Sequence, residues 1–321
     1  MTPRAGHRAD PRLRTVFFGS GLFAVPILEQ LAARPDLVLV AVVTPPDRPA
    51  GRGGALQPPP AAVAATRLGL RRLPLAKVRS PEGRAAISAL RADLGILADF
   101  GQIIPPDVLE APRHGILNVH PSLLPRHRGA TPIQATILEG DATAGVSVMQ
   151  MDAGLDTGPV LGRRSWALHG GEMTPDLEAH AAAVGAELLG SLLAPYLDGA
   201  LTAVAQDPAG ATMTRPLRRE DGRLDPARPA DELERHVRAY QPWPGSQLET
   251  PAGRLTVLRA TATASLPGDR AGALLADGDG LALATADGRL RLLEVKPAGG
   301  RVMSGADYRR GHPAVLGEVV R

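Results

Sequence analysis

The chain has 321 residues, enough for two domains that each bury a core. Charged residues at 21% and apolar residues at 44% are those of an ordinary globular protein, and aromatics at 3% leave the cores to Leu, Val, Ile and Ala. There is no cysteine, which excludes disulfides, thiolate zinc sites and a cysteine nucleophile, and the formal charge of +3 rests on arginine, with Lys77 and Lys296 the only lysines.

The first residues, 1–13, are polar and Arg-bearing and read as a disordered extension without a signal-peptide core. Residues 14–19 then form a short apolar run ending in glycine, followed by a helical pattern over 23–33 and a branched apolar strand at 37–43. A strand at 94–98, a helix near 107–111 and a strand at 115–119 continue the alternation, and 173–193 reads as a long helix opened by Thr174-Pro175-Asp176. Strands alternating with helices predict an α/β, Rossmann-like, mostly parallel sheet over residues 14–197. Residues 198–215 are small, polar and weakly periodic, the texture of a linker. Over 216–321 a helix is expected at 230–239, with strands at 254–260, 271–275, 281–285 and 290–295. The turns Asp277-Gly278, Asp279-Gly280 and Asp287-Gly288 are hairpin signals, so a smaller, OB-like β-barrel is expected there. No apolar run approaches the ~20 residues that span a bilayer, which predicts no membrane contact and a cytoplasmic protein.

Gly19-Ser20-Gly21-Leu22-Phe23-Ala24 satisfies the dinucleotide fingerprint and makes a nicotinamide oxidoreductase the natural competitor. That fingerprint needs an acid at the end of the second strand, and here none occurs before Asp47. The glycines are therefore read as serving a tight strand-to-helix turn.

The densest polar cluster in an apolar setting is Asn118-Val119-His120-Pro121-Ser122-Leu123-Leu124-Pro125. Asn118 and His120 are two apart on a strand, so they share a face, at the carboxyl end where open sheets collect ligands. An amide that donates to a developing oxyanion, beside an imidazole that moves protons near neutral pH, suits acyl transfer. A second cluster, Met151 to Gly158, holds Asp152 and Asp156. Spacing alone leaves them equally open to catalysis and to turn-making. His114, His120 and His127 are spaced by six and seven, which matches no zinc motif, so no metal is expected.

On these residues the chain resembles the folate-dependent formyltransferases, and within them the methionyl-tRNA formyltransferase family, from about residue 14 to the C-terminus. The motifs are Asn118 to Pro125 with Arg128-Gly129 and Pro132-Ile133-Gln134, then Met149 to Gly158, Glu220 to Asp225, Pro242-Trp243-Pro244-Gly245, and Lys296 to Ser304. The resemblance implies 10-formyltetrahydrofolate as formyl donor, methionyl initiator tRNA as acceptor, and a catalytic trio of Asn118, His120 and Asp156. It further implies folate contacts from Ser122, Leu123, Leu124, Pro125 and Gly154, with Asp99, Phe100, Gly101, Gln102 and Ile103 lining the pteridine pocket, largely through backbone. The family usually has Ala-Tyr-Gly there, so Asp99 is a departure; Pro226 likewise stands where tryptophan is common. Thr44 to Gly53 is similar to the inserted loop that reaches the acceptor stem, and sugar formyltransferases lack its Pro46-to-Gly53 stretch. By this resemblance Arg48, Arg52, Lys296 and Arg301 contact tRNA, with Arg52 foremost because Gly54 and Ala55 replace the usual lysines. A monomer is expected. A formyltransferase for sugars or purine precursors, and a non-catalytic RNA-binding protein, are the other readings.

Overall fold

The computed structural model describes residues 12–50 and 54–320. Nearly all of the expected N-terminal extension, and the expected tRNA contact Arg52, lie outside the described residues. The chain divides into two compact units. One ends at Arg128 and takes up Gly145–Ser165 and Ala179–Thr212, and the other comprises Gly129–Ala144, Trp166–Glu178 and the chain from Met213 onward.

The first unit is built on β1 (Leu13–Gly19), β2 (Leu37–Thr44), β3 (Arg72–Pro74), β4 (Leu94–Ala98), β5 (Ile116–His120), β6 (Thr143–Gln150) and β7 (Val160–Ala167), of which residues 143–144 and 166–167 fall in the second unit. They form one sheet in the order β7-β6-β5-β4-β1-β2-β3. Pairing is parallel from β3 through β5 and turns antiparallel between β5 and β6. Strands covered on both faces read as unbroken apolar runs, and all five residues of β4 and of β5 are buried. Helix α1 (Ala24–Ala32) buries Ala24, Ile27, Leu28 and Leu31, the spacing of one helical face. Proline occupies the first turn of α2 (Pro60–Arg67), α3 (Pro81–Ser88), α4 (Pro106–Leu109) and, in the second unit, α5 (Pro132–Leu138). There its missing N–H costs nothing and its fixed φ suits the helix. The run Pro58 to Pro60 therefore starts a helix, a role its sequence does not announce.

Helix α6 (Thr174–Leu197), 24 residues, is the one described helix long and apolar enough to cross a membrane by length and composition. This qualifies the expectation that no apolar stretch approaches that length. Its Gly185 sits so close to the sheet that an added Cβ would lie 2.8 Å from Val119 Cγ1 and 3.3 Å from Val146 Cγ1. The absent side chain at Gly185 lets the helix approach β5 and β6.

The second unit holds α7 (Ala230–Ala239) and a separate antiparallel sheet of β8 (Ser246–Thr250), β9 (Gly253–Thr263), β10 (Leu274–Asp277), β11 (Gly280–Ala284) and β12 (Arg289–Pro297). Their order is β8-β9-β12-β11-β10, and the short β13 (Met303–Ser304) pairs with β12. Its core is Leu233, Val237, Leu248, Leu255, Leu281, Leu292 and their neighbours. Asp277 and Gly280 close the β10–β11 hairpin, with Gly278 at φ 59°, as the Asp-Gly signals predict. Gly272 at φ 89° interrupts the strand expected at 271–275, so β10 begins only at Leu274. The outer strand β10 is not left open: Leu274 N–H donates to Glu318 O and Gly317 N–H to Leu274 O, covering a sheet edge that would otherwise invite association.

Candidate active site

Asn118 and His120 stand on one face of β5 and are almost fully enclosed, at 5% and 4% exposure. Neighbouring strands fix their height, since Asn118 lies opposite Leu97 on one side and Met149 on the other, and His120 opposite Ser147. His120 Nε2 is 3.0 Å from the His127 carbonyl oxygen. A carbonyl only accepts, so this nitrogen holds a proton, and Nδ1 is left facing Asp156.

Asp156 lies 38 residues beyond Asn118 and reaches both groups. Its Oδ1 accepts from Asn118 Nδ2 at 3.3 Å, and its Oδ2 is 3.8 Å from His120 Nδ1. The three predicted catalytic residues thus share one environment within the first unit. Asp156 has φ 53°, a left-handed backbone that a non-glycine residue adopts only when its surroundings impose it. Asp152 builds the start of that loop, accepting from Gly154 N–H at 3.0 Å and from Thr157 Oγ1 at 2.7 Å. The alternative left open by spacing is divided between the two carboxylates: Asp152 makes the turn, and Asp156 faces the amide and the ring.

The glycine loop after β1 is structural. An added Cβ at Gly19 would lie 2.5 Å from the Phe17 ring and 2.9 Å from Ala24 Cβ, and one at Gly21 would lie 1.9 Å from Asp99 Oδ2. Ser20 N–H donates to Asp99 O at 2.9 Å, tying this loop to the end of β4. Asp47, the first acid after the second strand, is engaged by Arg72 at 2.8 Å. Asp99 itself has φ 48°, and although the residue is exposed overall, desolvation of its carboxyl beside the loop raises its pKa, with the Gly21 amide pulling the other way.

The other predicted folate residues divide by what their side chains do. Phe100 turns into the core, edge-on to Phe18 at 5.6 Å, and Gln102 bridges Val78 N–H at 2.8 Å and Leu75 O at 2.9 Å. With these two committed inward, residues 99–103 offer backbone, Gly101 and the 75%-exposed Ile103. Ser122 donates to Arg126 O at 2.7 Å, and Ser147 Oγ links Ser122 O to Leu124 N–H, so the segment after β5 is rigid. Leu123 packs on Gly145, Leu124 is a core residue beside Met149 and Val160, Pro125 is half-buried and Gly154 is exposed. Arg48 lies exposed on a small hairpin of Arg48–Ala50 with Ala55–Gln57 in the first unit. Lys296 and Arg301 lie exposed in the second. A separate cavity of about 330 Å³ near the amino ends of β4 and β5, lined by Val16, Phe18, Val108, Asp93 and Arg113 among others, includes none of the predicted site residues.

Sequence reasoning missed Gln206 and Thr212, both in the segment expected to be a linker. Gln206 Nε2 donates to the carbonyls of Asp156 at 2.9 Å and Gly158 at 2.7 Å. Thr212 Oγ1 accepts from His127 N–H at 2.8 Å, and Arg128 N–H donates to Thr212 O. A lone polar residue in a weakly periodic stretch gives no periodic signal that would have found either.

Known proteins bear on this arrangement at three levels. The formyl transferase family model matches residues 13–192, and the model of the formyl transferase C-terminal domain matches 216–313. The chain is similar to the methionyl-tRNA formyltransferase of Halorhodospira halophila, 45% identical over 96% of this chain and 99% of the relative. It is 44% identical to that of Roseiflexus sp. over 93% and 92%. Among solved structures it resembles the N-formyltransferase of Helicobacter canadensis in complex with folinic acid and dTDP-3-aminofucose, TM-score 0.65 at 14% identity, covering 87% of this chain and 98% of that one. It also resembles HypX of Aquifex aeolicus in complex with tetrahydrofolic acid, TM-score 0.63 at 15% identity, covering 96% and 48%. At such identities these two speak for the fold alone. Family models over both parts of the chain, and relatives matched along nearly their whole length, establish that this chain belongs to the formyl transferase family, in its methionyl-tRNA formyltransferase branch.

Proposed function

We propose that this chain moves the formyl group of 10-formyltetrahydrofolate onto the amino group of methionyl initiator tRNA in the cytoplasm, with Asn118, His120 and Asp156 as its acting residues. The observation that supports it is the meeting of one carboxylate with a strand-borne amide and imidazole. As the amine attacks the formyl carbon, negative charge grows on the formyl oxygen. The Asn118 amide has a second N–H beyond the one given to Asp156, and that N–H stabilises the growing charge. The Nε2 proton of His120 is given to the His127 carbonyl, so the ring acts through Nδ1, where a proton is shared between Asp156 and the growing charge. In water-excluded sites each such donor is typically worth on the order of 3 kcal/mol. Asp156 fixes the tilt of the ring. The proton lost by the amine passes to the folate nitrogen as the C–N bond breaks, so the step balances without a covalent enzyme intermediate.

The backbone of residues 99–103, the rigid segment Ser122 to Pro125 and the loop at Gly154 form the folate side of this reading. Arg48, Arg52, Lys296 and Arg301 form its tRNA side. Purified protein is to be given formyl-folate and charged initiator tRNA, with uncharged tRNA and a nucleotide-linked amino sugar as controls. Formylmethionyl-tRNA alone is the expected product; formylation of the sugar, or no reaction with the charged tRNA, would overturn the proposal.

A further inference from the structure

Gln206 touches neither Asn118 nor His120, yet every polar atom of its side chain is used. Its Oε1 accepts from Arg128 Nε at 3.1 Å and Nη2 at 2.8 Å. A guanidinium only donates, so the amide oxygen must face Arg128 and the NH2 must face the two loop carbonyls; the amide has one chemically sensible orientation. The Gln206 strand segment is itself anchored, since Val204 and Val160 exchange both backbone hydrogen bonds at 2.8 Å. Arg128 is 9% exposed, so the fork that fixes the amide is held in turn.

The carbonyls that Gln206 binds are those of Asp156 and of Gly158, two residues on. Asp156 is the residue in this loop with a left-handed backbone although it has a side chain. Such a conformation persists only where neighbouring contacts over-determine it. Asp152 secures the loop from its leading side, through Gly154 and Thr157. Gln206 secures it from the trailing side.

We infer that Gln206 is a positioning residue for the reaction: by bridging the Asp156 and Gly158 carbonyls to Arg128 it holds the Asp156 carboxylate between Asn118 and His120. This rests on the proposed role of Asp156. Gln206→Ala removes both contacts. Gln206→Glu keeps the shape and the Arg128 partner but offers no N–H to the carbonyls. Both variants are expected to lose roughly 10- to 100-fold in kcat, as a misplaced group near the reacting atoms does. KM for formyl-folate and for tRNA should stay within about threefold, and the thermal midpoint of Gln206→Glu close to that of the parent, since catalysis and not binding is affected.

Wild-type kcat in Gln206→Glu would show that Gln206 serves only Arg128, and a collapse of its thermal midpoint would make it a folding residue; either sinks the inference. Asp156→Asn is measured alongside. If that variant keeps its turnover, the catalytic role of Asp156 fails first. If it loses turnover while Gln206→Glu does not, the inference about Gln206 alone fails.

Discussion

A single carboxylate separates turn-making from chemistry in the loop after β6. Asp152 spends its oxygens on Gly154 and Thr157, whereas Asp156 points both of its oxygens at β5. Asn118→Ala and His120→Ala are each expected to cut turnover by ~100-fold or more, measured in steady state with charged initiator tRNA. Near-normal turnover in either would remove that residue from the mechanism. The same loop makes a sharper demand at Gly158, where an added Cβ would lie 1.8 Å from the Gln150 carbonyl oxygen. That obstacle is backbone and cannot swing aside. Gly158→Ala is expected to shift the loop and lower kcat about tenfold or more, and an unchanged kcat would show that Asp156 does not depend on the loop's path.

Among the elements, α7 presents an apolar face in which one member is a histidine. His236 Nε2 lies 2.8 Å from the Asp221 carbonyl oxygen, and Nδ1 lies 3.0 Å from Ser246 Oγ. Burial lowers its pKa from 6.5 to about 4, with Arg228 acting in the same direction and the Asp221 backbone and charge opposing. The unfolded chain therefore takes up a proton below pH 6.5 that the folded unit refuses. This contribution to stability is full above pH 6.5 and is lost as pH falls from 6.5 towards 4. Between pH 7.5 and pH 5 the wild type should lose about 2 kcal/mol more than His236→Gln, read from urea unfolding. Equal losses would mean that the ring is already charged in the folded state. Asp221, held down to about 2 mainly by its hydrogen bond from Arg215, loses its own contribution only at lower pH.

For the molecule as a whole, the net charge of +3 is small and spread over arginines of both units, so binding to a nucleic acid depends on where the charges stand. Lys296 and Arg301 are exposed near one another in sequence on the second unit. Removing one phosphate-binding cation should flatten the salt dependence of binding by about one unit of logarithmic slope, because one fewer counterion is released. The Lys296→Ala, Arg301→Ala double variant is expected to weaken tRNA binding at about 50 mM salt and to lower that slope by about two, with the KM for formyl-folate unchanged. A slope identical to that of the parent would take both residues off the tRNA surface.

How much of this is legible in the sequence depends on the range of the interactions. The first three long apolar segments, α6, α7 and the Asp-Gly hairpin follow from local pattern: strands buried on both faces read as continuous apolar runs, and turns need residues that tolerate positive φ. The short β3, the strands β6 and β7, and β8 do not show in that pattern, because their boundaries are set by partners across the sheet and not by their own periodicity. Composition and motif spacing by themselves determined an α/β chain with a second β-rich part, a pair of polar residues on one strand face, and an aspartate-bearing loop. Spacing left Asp152 and Asp156 equivalent and the resemblance implied Asp156; only the tertiary structure brings its carboxylate to that pair. The deciding groups, Gln206 and the cross-strand partners of β5, lie tens of residues away in sequence, and hydrogen bonds of that span leave no trace in local pattern.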